Sequence, residues 1–175
     1  MSWYIQAIKN YFNFSGRARR KEFWMYMLFL IIFTFASMIL DVILGIDFKI
    51  NNGWYEQSLG YGPIYIIVSL FHWIPALSVT VRRLHDSDRT GWWYFGPTLL
   101  MLGAVLIGAM FGGLGYALGS ESMTITGIVL GVILYLAGIG LAITALVFLF
   151  FDGTKGDNRF GPSNKYDSEG HLLTK

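Results

Sequence analysis

The chain has 175 residues, of which 54% are hydrophobic and only 14% are charged, and its net charge is +2. Soluble domains usually carry roughly a quarter charged residues, so this composition argues against a soluble globular protein. The chain has no cysteine, which excludes disulfides and metal sites built from thiolates.

Residues 1–14 have the pattern of an amphipathic helix. Polar Ser2, Gln6, Lys9 and Asn13 recur at helical spacing, while aromatic and aliphatic residues fill the other side. The pattern predicts a helix in the headgroup plane of a membrane, and packing of this helix on the protein itself is the alternative. The segment lacks the basic start and small-residue cleavage site of a secretory signal peptide, so we do not expect its removal.

Four apolar blocks meet or approach the roughly 20 residues that a helix needs to cross a bilayer. The blocks are residues 23–45, 64–81, 92–118 and 125–151. We therefore predict an all-α polytopic membrane protein with four transmembrane helices and an N-terminal interfacial amphipathic helix. We assign residues 1–162 to a single integral membrane domain and residues 163–175 to a flexible polar tail.

Two ionisable residues and a proline lie within the first two spans. Asp41 is near the end of the first span, and His72 is near the middle of the second. Ionisable residues inside a membrane are functional candidates. For His72 we favour a neutral histidine bonded to a neighbouring helix, because no relay partner is evident. Pro75 cannot donate to the carbonyl of Phe71, which predicts a kink there.

The connections between spans carry turn signals. In residues 46–62 the turn signal is Asn51-Asn52-Gly53, and Trp54 and Tyr55 are expected to rest at the membrane interface. Ser15 is predicted to cap the first spanning helix, and Gly153 is predicted to follow the end of the last one.

Glycines recur at a spacing of four in the last two spans. The pairs are Gly108 and Gly112, Gly115 and Gly119, and Gly127 and Gly131. Small residues at this spacing let helix backbones approach closely. The pattern predicts close helix packing and leaves open whether the packing is within one chain or between the subunits of a homo-oligomer.

The distribution of basic residues predicts the orientation. With four spans, both termini share a side of the membrane with the connection between the second and third spans. All thirteen Lys and Arg residues except Lys49 fall on that side. Basic loops stay in the cytoplasm, so we predict that both termini are cytoplasmic.

Charged residues concentrate in three short blocks on that side. Acids are interleaved with the arginines, which would weaken a patch that only attracted lipid. We therefore predict a cytoplasmic network of ion pairs and hydrogen bonds, or a site for a lipid headgroup. The candidate residues are Arg17, Arg19, Arg20, Arg82, Arg83, His85, Asp86, Asp88, Arg89, Asn158 and Arg159.

Catalytic motifs are absent from the sequence. There is no HExxH, no phosphate-binding loop and no Ser-His-acid spacing, and His72, His85 and His171 are too scattered to predict a metal or another cofactor. We favour a non-enzymatic membrane protein with a structured cytoplasmic charged face that binds anionic lipid headgroups or a protein partner, and no nucleic acid. The alternative is a small transporter or lipid-active enzyme that uses His85, Asp86 and the nearby arginines.

Three motifs occur in a distinctive order. They are Phe14-Ser15-Gly16-Arg17-Ala18-Arg19-Arg20-Lys21-Glu22-Phe23-Trp24, then Arg82-Arg83-Leu84-His85-Asp86 running on to Gly91-Trp92, then Asn158-Arg159-Phe160-Gly161. In this order they resemble the bacterial inner-membrane family of the YhaH and YhaI type, known as domain-of-unknown-function family 805. The resemblance extends from the N-terminal helix to Pro162. It implies multi-pass localisation in the bacterial plasma (inner) membrane, and no established activity, ligand or catalytic residue.

Overall fold

A computed structural model describes residues 2–51, 53, 56–166 and 171–172. Within these residues the chain forms five α-helices and one two-stranded antiparallel sheet. The elements are α1 (Ser2–Lys9), α2 (Arg20–Ile43), β1 (Lys49–Asn51), β2 (Glu56–Ser58), α3 (Pro63–Asp86), α4 (Trp92–Ala117) and α5 (Glu121–Phe150). Helices α2 to α5 are each long and apolar enough to cross a bilayer, which confirms the predicted four-span all-α architecture.

The second span extends further than its apolar block. Hydropathy ends the block at Val81, where the first arginine follows, but α3 continues to Asp86. The helix can continue because Arg82 and Arg83 are buried and hold acidic partners, so their charge does not force them into water. As a result the Arg-Arg-Leu-His-Asp motif is the last part of a helix, with fixed helical spacing.

The predicted N-terminal helix is present as α1, and it packs on the protein. Ala7 is fully buried, and the ring of Tyr4 stacks on that of Tyr26 in α2 with 5.8 Å between centroids. Ile5 and Phe12 stay exposed on the outer side. The helix therefore contacts α2 and α3, as the alternative interpretation proposed, and its position in the headgroup plane stays a prediction.

Two tyrosine hydroxyls donate hydrogen bonds to backbone carbonyls of α3 near Pro75. Because proline has no N–H, the carbonyl of Phe71 lacks its helical donor. The Tyr11 hydroxyl donates to that carbonyl at 2.7 Å, and the Tyr26 hydroxyl donates to the carbonyl of His72 at 2.8 Å. Side chains from α2 and from the turn after α1 therefore bind two carbonyls in the turn of α3 that precedes Pro75.

His72 is buried among these aromatic residues. Its Nδ1 lies 2.8 Å from the carbonyl oxygen of Val68, and a carbonyl can only accept, so Nδ1 carries the proton. Its Nε2 lies 2.9 Å from the Tyr4 hydroxyl, which can either donate or accept. His72 is thus hydrogen-bonded to a neighbouring helix, as predicted, and its neutral state stays a prediction.

Asp41 caps α3 from across the loop. The carboxylate is fully buried and accepts from the backbone N–H groups of Gly62, Ile64 and Tyr65 at 2.9 to 3.1 Å. These are donors that the first turn of a helix leaves without a partner, and a carboxylate also suits the positive end of the helix dipole. The structure thus gives Asp41 a structural role.

The loop between α2 and α3 carries the β-hairpin. Lys49 pairs with Ser58 and Asn51 with Glu56 in the β1–β2 register. Gly53 has a φ of +80° and donates its N–H to the Asn51 side chain at 2.8 Å, which fits the predicted turn. The other turn residue, Asn52, and the predicted interfacial pair of Trp54 and Tyr55 lie outside the described residues.

Glycines bring α4 and α5 together. A Cβ atom at Gly127 would lie 2.6 Å from the backbone nitrogen of Gly112, and one at Gly131 would lie 3.0 Å from the Cα of Gly108. No side chain fits at such distances, so these glycines pack within the chain. Gly119 does not share this role, because its φ of +68° places it at the turn after α4.

The chain thus forms two helical hairpins, α2–α3 and α4–α5, which pack within themselves more than against each other. Contacts that join them lie where α2 and α4 begin and where α3 and α5 end. There Trp24 packs on Phe150 with 4.5 Å between ring centroids, and the Ser87 hydroxyl donates to the Phe148 carbonyl at 3.2 Å. We call this end of the molecule, which includes residues 16–22, 82–89 and 148–166, the charged face.

Candidate functional site

Asp86 lies at the centre of the charged face. Arg17 Nε donates to its Oδ1 at 2.9 Å, and Arg83 Nη1 donates to its Oδ2 at 2.6 Å. The side chains of both arginines are almost fully buried, and that of Asp86 is 12% exposed. Each carboxylate oxygen therefore holds a different arginine in a desolvated, charge-assisted pair.

Arg83 joins this centre to the last spanning helix. Its Nε donates to the carbonyl of Leu149 at 3.2 Å, and its Nη2 donates to the carbonyl of Phe151. Carbonyls at the end of a helix have no partner within the helix, so a buried cation is well placed there. Arg83 therefore links the end of α3 to the end of α5.

Arg17 joins the centre to the C-terminal segment, by which we mean residues 152–166. Its Nη2 donates to the carbonyl of Thr154 at 2.6 Å, and its Nη1 donates to that of Gly156 at 2.7 Å. Residues 17–19 have no regular secondary structure, and Ala18 N donates to the carbonyl of Arg82 at 3.0 Å. The prediction that Ser15 caps α2 is therefore wrong, because residues 16–19 run along the end of α3 and the helix begins only at Arg20.

Gly153 is required by the Asp86 carboxylate. A Cβ atom at this position would overlap both carboxylate oxygens of Asp86. The next residue, Thr154, donates its N–H to the carbonyl of Asp86 at 2.8 Å. The sequence predicted Gly153 as the residue that follows the end of α5. The C-cap of α5 is instead Phe151, two residues earlier, and a glycine is needed at 153 because a side chain there would collide with the Asp86 carboxylate.

A second buried ion pair lies beside the first. Arg82 Nη1 donates to Glu22 Oε1 at 2.8 Å, and the side chains are 4% and 1% exposed. This pair ties the first turn of α2 to α3. Glu22 was not among the predicted site residues, because nothing in its position within a basic block identifies a partner sixty residues away.

The C-terminal segment packs on the end of α3. The ring of Phe160 stacks on that of His85 at 3.9 Å and 3°, and Asn158 Nδ2 donates to the His85 carbonyl at 2.9 Å. Arg159 pairs with Asp88 at 3.1 Å, where both side chains are about half exposed. His85 Nδ1 also donates to the carbonyl of Gly16 at 3.1 Å. His85 is therefore occupied in packing the three charged blocks together.

The remaining predicted residues lie away from this centre. Arg89 packs over the ring of Phe148 at 4.6 Å, and Arg19 lies over the ring of Trp3 at 5.9 Å. Arg20 pairs with Asp152 at 3.2 Å in an exposed position. The structure thus separates Arg17, Arg83 and Asp86, which we call the buried junction, from cations nearer the surface, such as Arg19, Arg20 and Arg89.

A cleft of about 850 Å³ lies between α1, the start of α2 and the C-terminal segment. Its charged lining residues are the cations Arg17, Arg19, Arg20, Lys21 and Lys165 and the acids Asp86 and Asp152. Trp3, Trp24 and Tyr166 add aromatic surface. We call this space the basic cleft, because its cations outnumber its acids.

The cations of the basic cleft differ in how they are neutralised. Asp152 contacts both Arg20 and Lys165, at 3.2 and 3.1 Å. The hydrogen bond from Lys165 lowers the pKa of the Asp152 carboxyl, and the bond from Arg20 lowers it further, so Asp152 is charged at neutral pH. Arg19 and Lys21 form no ion pair within the described residues. The cleft therefore has unneutralised positive charge.

Sequence reasoning missed several residues of this face: Glu22, Asp152, Gly153, Thr154, Asn164 and Lys165. Asn164 Nδ2 donates to the carbonyl of Arg17 at 2.7 Å, so residues just beyond 162 are in contact with the face. The predicted boundary of the flexible tail at 163 stays a prediction, and residues 167–170 and 173–175 lie outside the described residues. Within the described chain, no group of three His, Cys, Asp or Glu residues could hold a metal ion.

Comparisons with known proteins agree with the resemblance seen in the motifs. The chain matches the family described as "Protein of unknown function (DUF805)" over residues 11–162. It is 32% identical to "Inner membrane protein YhaH" of Escherichia coli (strain K12) over 167 residues, which cover 95% of this chain and 99% of that protein. It is 29% identical to "Inner membrane protein YhaI" of the same strain over 168 residues, covering 96% and 99%. No solved structure matches the chain.

Proposed function

Since the chain belongs to the DUF805 family, whose members YhaH and YhaI are inner membrane proteins and whose function is unknown, we propose that it binds an anionic phospholipid headgroup in the basic cleft. In this proposal the charged face lies in the cytoplasm, and the protein is a binding protein and not an enzyme. The buried junction around Asp86 holds the walls of the cleft in place.

The observation that carries the proposal is the unneutralised charge of the basic cleft. Five cations and two acids line it, and Arg19 and Lys21 have no acidic partner in the described structure. Positive residues near the cytoplasmic leaflet attract anionic lipids by about 1 kcal/mol each. A headgroup phosphate would satisfy cations that the protein itself leaves without a counter-charge.

The aromatic lining supports a lipid as the source of that anion. Trp3 and Trp24 border the cleft, and tryptophan is enriched at the level of the lipid headgroups. Trp24 follows the first turn of α2, next to the cations of the cleft. A headgroup bound here could keep its acyl chains in the bilayer beside α2.

The orientation rests on the charge bias and on the relatives. Every basic residue except Lys49 belongs to the side that carries the charged face, and both relatives are inner membrane proteins. The cytoplasmic leaflet is the negatively charged one, so it would present the ligand to this side.

The alternative of a transporter or lipid-active enzyme has less support. A transporter would be favoured by a cavity that runs from the charged face to His72. The described lining of the basic cleft does not include His72 or His85, and both rings are held by hydrogen bonds. This alternative therefore stays a prediction without an observation that favours it.

The test compares two double variants of the detergent-solubilised protein. Wild type should melt at a higher temperature with added phosphatidylglycerol than with added phosphatidylcholine. Arg19→Gln with Lys21→Gln should lose most of that difference and weaken apparent binding roughly tenfold or more, because two unpaired cations are removed. Lys9→Gln with Lys155→Gln removes the same charge outside the cleft and should retain the difference.

Two results would contradict the proposal. Equal stabilisation of wild type by both lipids would mean that no anionic headgroup is bound. Equal losses in the two double variants would mean that the lipid responds to net charge and not to the basic cleft.

A further inference from the structure

We infer that the Asp152 carboxylate occupies, in the ligand-free cleft, the position that the ligand's anionic group takes, and that binding exchanges one for the other between Arg20 and Lys165. The inference rests on the proposed function and adds how binding is regulated. Asp152 competes with the ligand for Arg20 and Lys165, and these two residues are the contacts that the ligand would take over.

The geometry around Asp152 is that of a bridged anion. Arg20 Nη1 lies 3.2 Å from Oδ1, and Lys165 Nζ lies 3.1 Å from Oδ2. The two cations come from different elements, since Arg20 begins α2 and Lys165 lies in the C-terminal segment. The two free oxygens of a phosphodiester can replace the two carboxylate oxygens, because both groups accept charge-assisted hydrogen bonds from arginine and lysine.

Exposure makes this bridge exchangeable. The side chains of Arg20, Asp152 and Lys165 are 45%, 51% and 37% exposed. Ion pairs in such positions contribute little to stability, because water competes for each partner. The other acid of the cleft, Asp86, is different: its arginines are almost fully buried, and its release would leave buried charges without partners. Only Asp152 can therefore give up its place to a ligand.

The exchange requires the side chain of Asp152 to move, but not its backbone. Phe151 before it is held through its carbonyl by Arg83, and Thr154 after it donates to the carbonyl of Asp86. The wall that carries Lys165 is held independently, because Asn164 donates to the carbonyl of Arg17. A rotation of the Asp152 side chain thus opens the bridge while both cations stay in place.

A built-in competitor sets the selectivity of the cleft. A zwitterionic headgroup brings no net negative charge and is poorly suited to displace a charged carboxylate. An anionic headgroup replaces one anion by another and also reaches the unpaired cations, Arg19 and Lys21. The cleft is therefore suited to retain anionic lipids and to reject neutral ones.

The test uses two acid-to-amide variants with the same change of charge. Asp152→Asn removes the competitor, while Asp157→Asn removes an exposed carboxylate of the same segment that does not line the cleft. Binding of short-chain phosphatidylglycerol to the full-length protein in detergent is measured for each, with short-chain phosphatidylcholine, inorganic phosphate and glycerol 3-phosphate as comparison probes.

We expect Asp152→Asn to bind phosphatidylglycerol about three- to tenfold more tightly than wild type, and Asp157→Asn to differ less than twofold. Adding Lys165→Gln to Asp152→Asn should reverse the gain, because the ligand then loses an inherited contact. The ligand-free melting temperature of Asp152→Asn should stay within about 2–4 °C of wild type, so that a change in affinity is not a folding defect.

The outcomes separate this inference from the proposed function. If wild type binds phosphatidylglycerol but Asp152→Asn binds it no better than Asp157→Asn, the exchange is refuted and the lipid site stands. If neither wild type nor Asp152→Asn binds it, both ideas fail. If inorganic phosphate or glycerol 3-phosphate shows the same gain at the same concentrations, the exchange is supported and the ligand is a soluble phosphate.

Discussion

At the scale of single residues, Asp86 shows how a charged group can be kept inside this membrane protein. Its two oxygens hold Arg17 and Arg83, and its backbone carbonyl accepts from Thr154. Such a pair adds little stability compared with an apolar replacement of the whole cluster, but removal of one partner leaves buried charges unpaired. The cost of losing Asp86 therefore comes mainly from the two arginines that remain.

We predict that Asp86→Ala destabilises the detergent-solubilised protein by about 3–5 kcal/mol. Asp157→Ala, which removes an exposed carboxylate without a described partner, should change stability by less than about 0.5 kcal/mol. Asp86→Asn should recover part of the loss, because an amide oxygen still accepts a hydrogen bond. Thermal melting in matched detergent checks the series, and a wild-type melting curve for Asp86→Ala would refute the buried junction.

The sequence predicted much of the membership of this junction but not its pairing. The arginines of the first block and Asp86 were identified, because acids interleaved with basic residues indicate a network. Arg83 and Asp86 are three apart on one helix, but the other two pairs join residues 69 and 60 positions apart, and spacing along the chain carries no information about such contacts. Asp41 shows the same limit, since an acid in a span could serve a function or cap a helix, and only the fold places it against Gly62.

At the scale of elements, the helices were predictable and their ends were not. Hydropathy located α2 to α5, because a bilayer requires long apolar stretches. The end of α3 lies beyond its apolar block, since Arg82 and Arg83 are neutralised by Glu22 and Asp86. The kink at Pro75 stays a prediction, since α3 is helical throughout, and the tyrosine hydroxyls that bind the carbonyls of Phe71 and His72 come from other elements.

We predict that Tyr26→Phe destabilises the protein by about 0.5–1.5 kcal/mol, because it removes a buried hydroxyl that donates to the carbonyl of His72. Tyr94→Phe in α4 is the matched control: its ring is 41% exposed, and its hydroxyl makes no hydrogen bond within the described structure. Thermal melting of the two variants in the same detergent distinguishes them. Equal melting temperatures would show that the Tyr26 hydroxyl does not stabilise α3 near Pro75.

At the scale of the whole molecule, two hairpins meet at the charged face. Glycine contacts hold α4 against α5, and Arg83 links the end of α3 to the end of α5. Glycine spacing predicted the close helix packing but not whether it was internal, because the same spacing serves both purposes. The sequence predicted a headgroup site with Arg17, Arg19 and Arg20, but not its wall from the C-terminal segment, because that wall lies more than 130 residues further along the chain.

We predict that the charged face is cytoplasmic and that the β-hairpin lies on the opposite side of the membrane. The chain has no cysteine, so single cysteines report unambiguously. Lys155→Cys, in the exposed C-terminal segment, should resist a membrane-impermeant maleimide in intact cells, whereas Gln57→Cys in β2 should react. The opposite labelling pattern would reverse the orientation and place the basic cleft away from the anionic leaflet.

The C-terminal segment follows all four spans in the chain, so the ribosome delivers it after them. Until then Arg17 lacks the carbonyls of Thr154 and Gly156, and the charged face cannot close. A final hairpin inserted the wrong way round would carry the segment to the other side of the bilayer, out of reach of Arg17. Closure of the face therefore requires the last hairpin to return residues 152–166 to the side of the bilayer on which Arg17 lies.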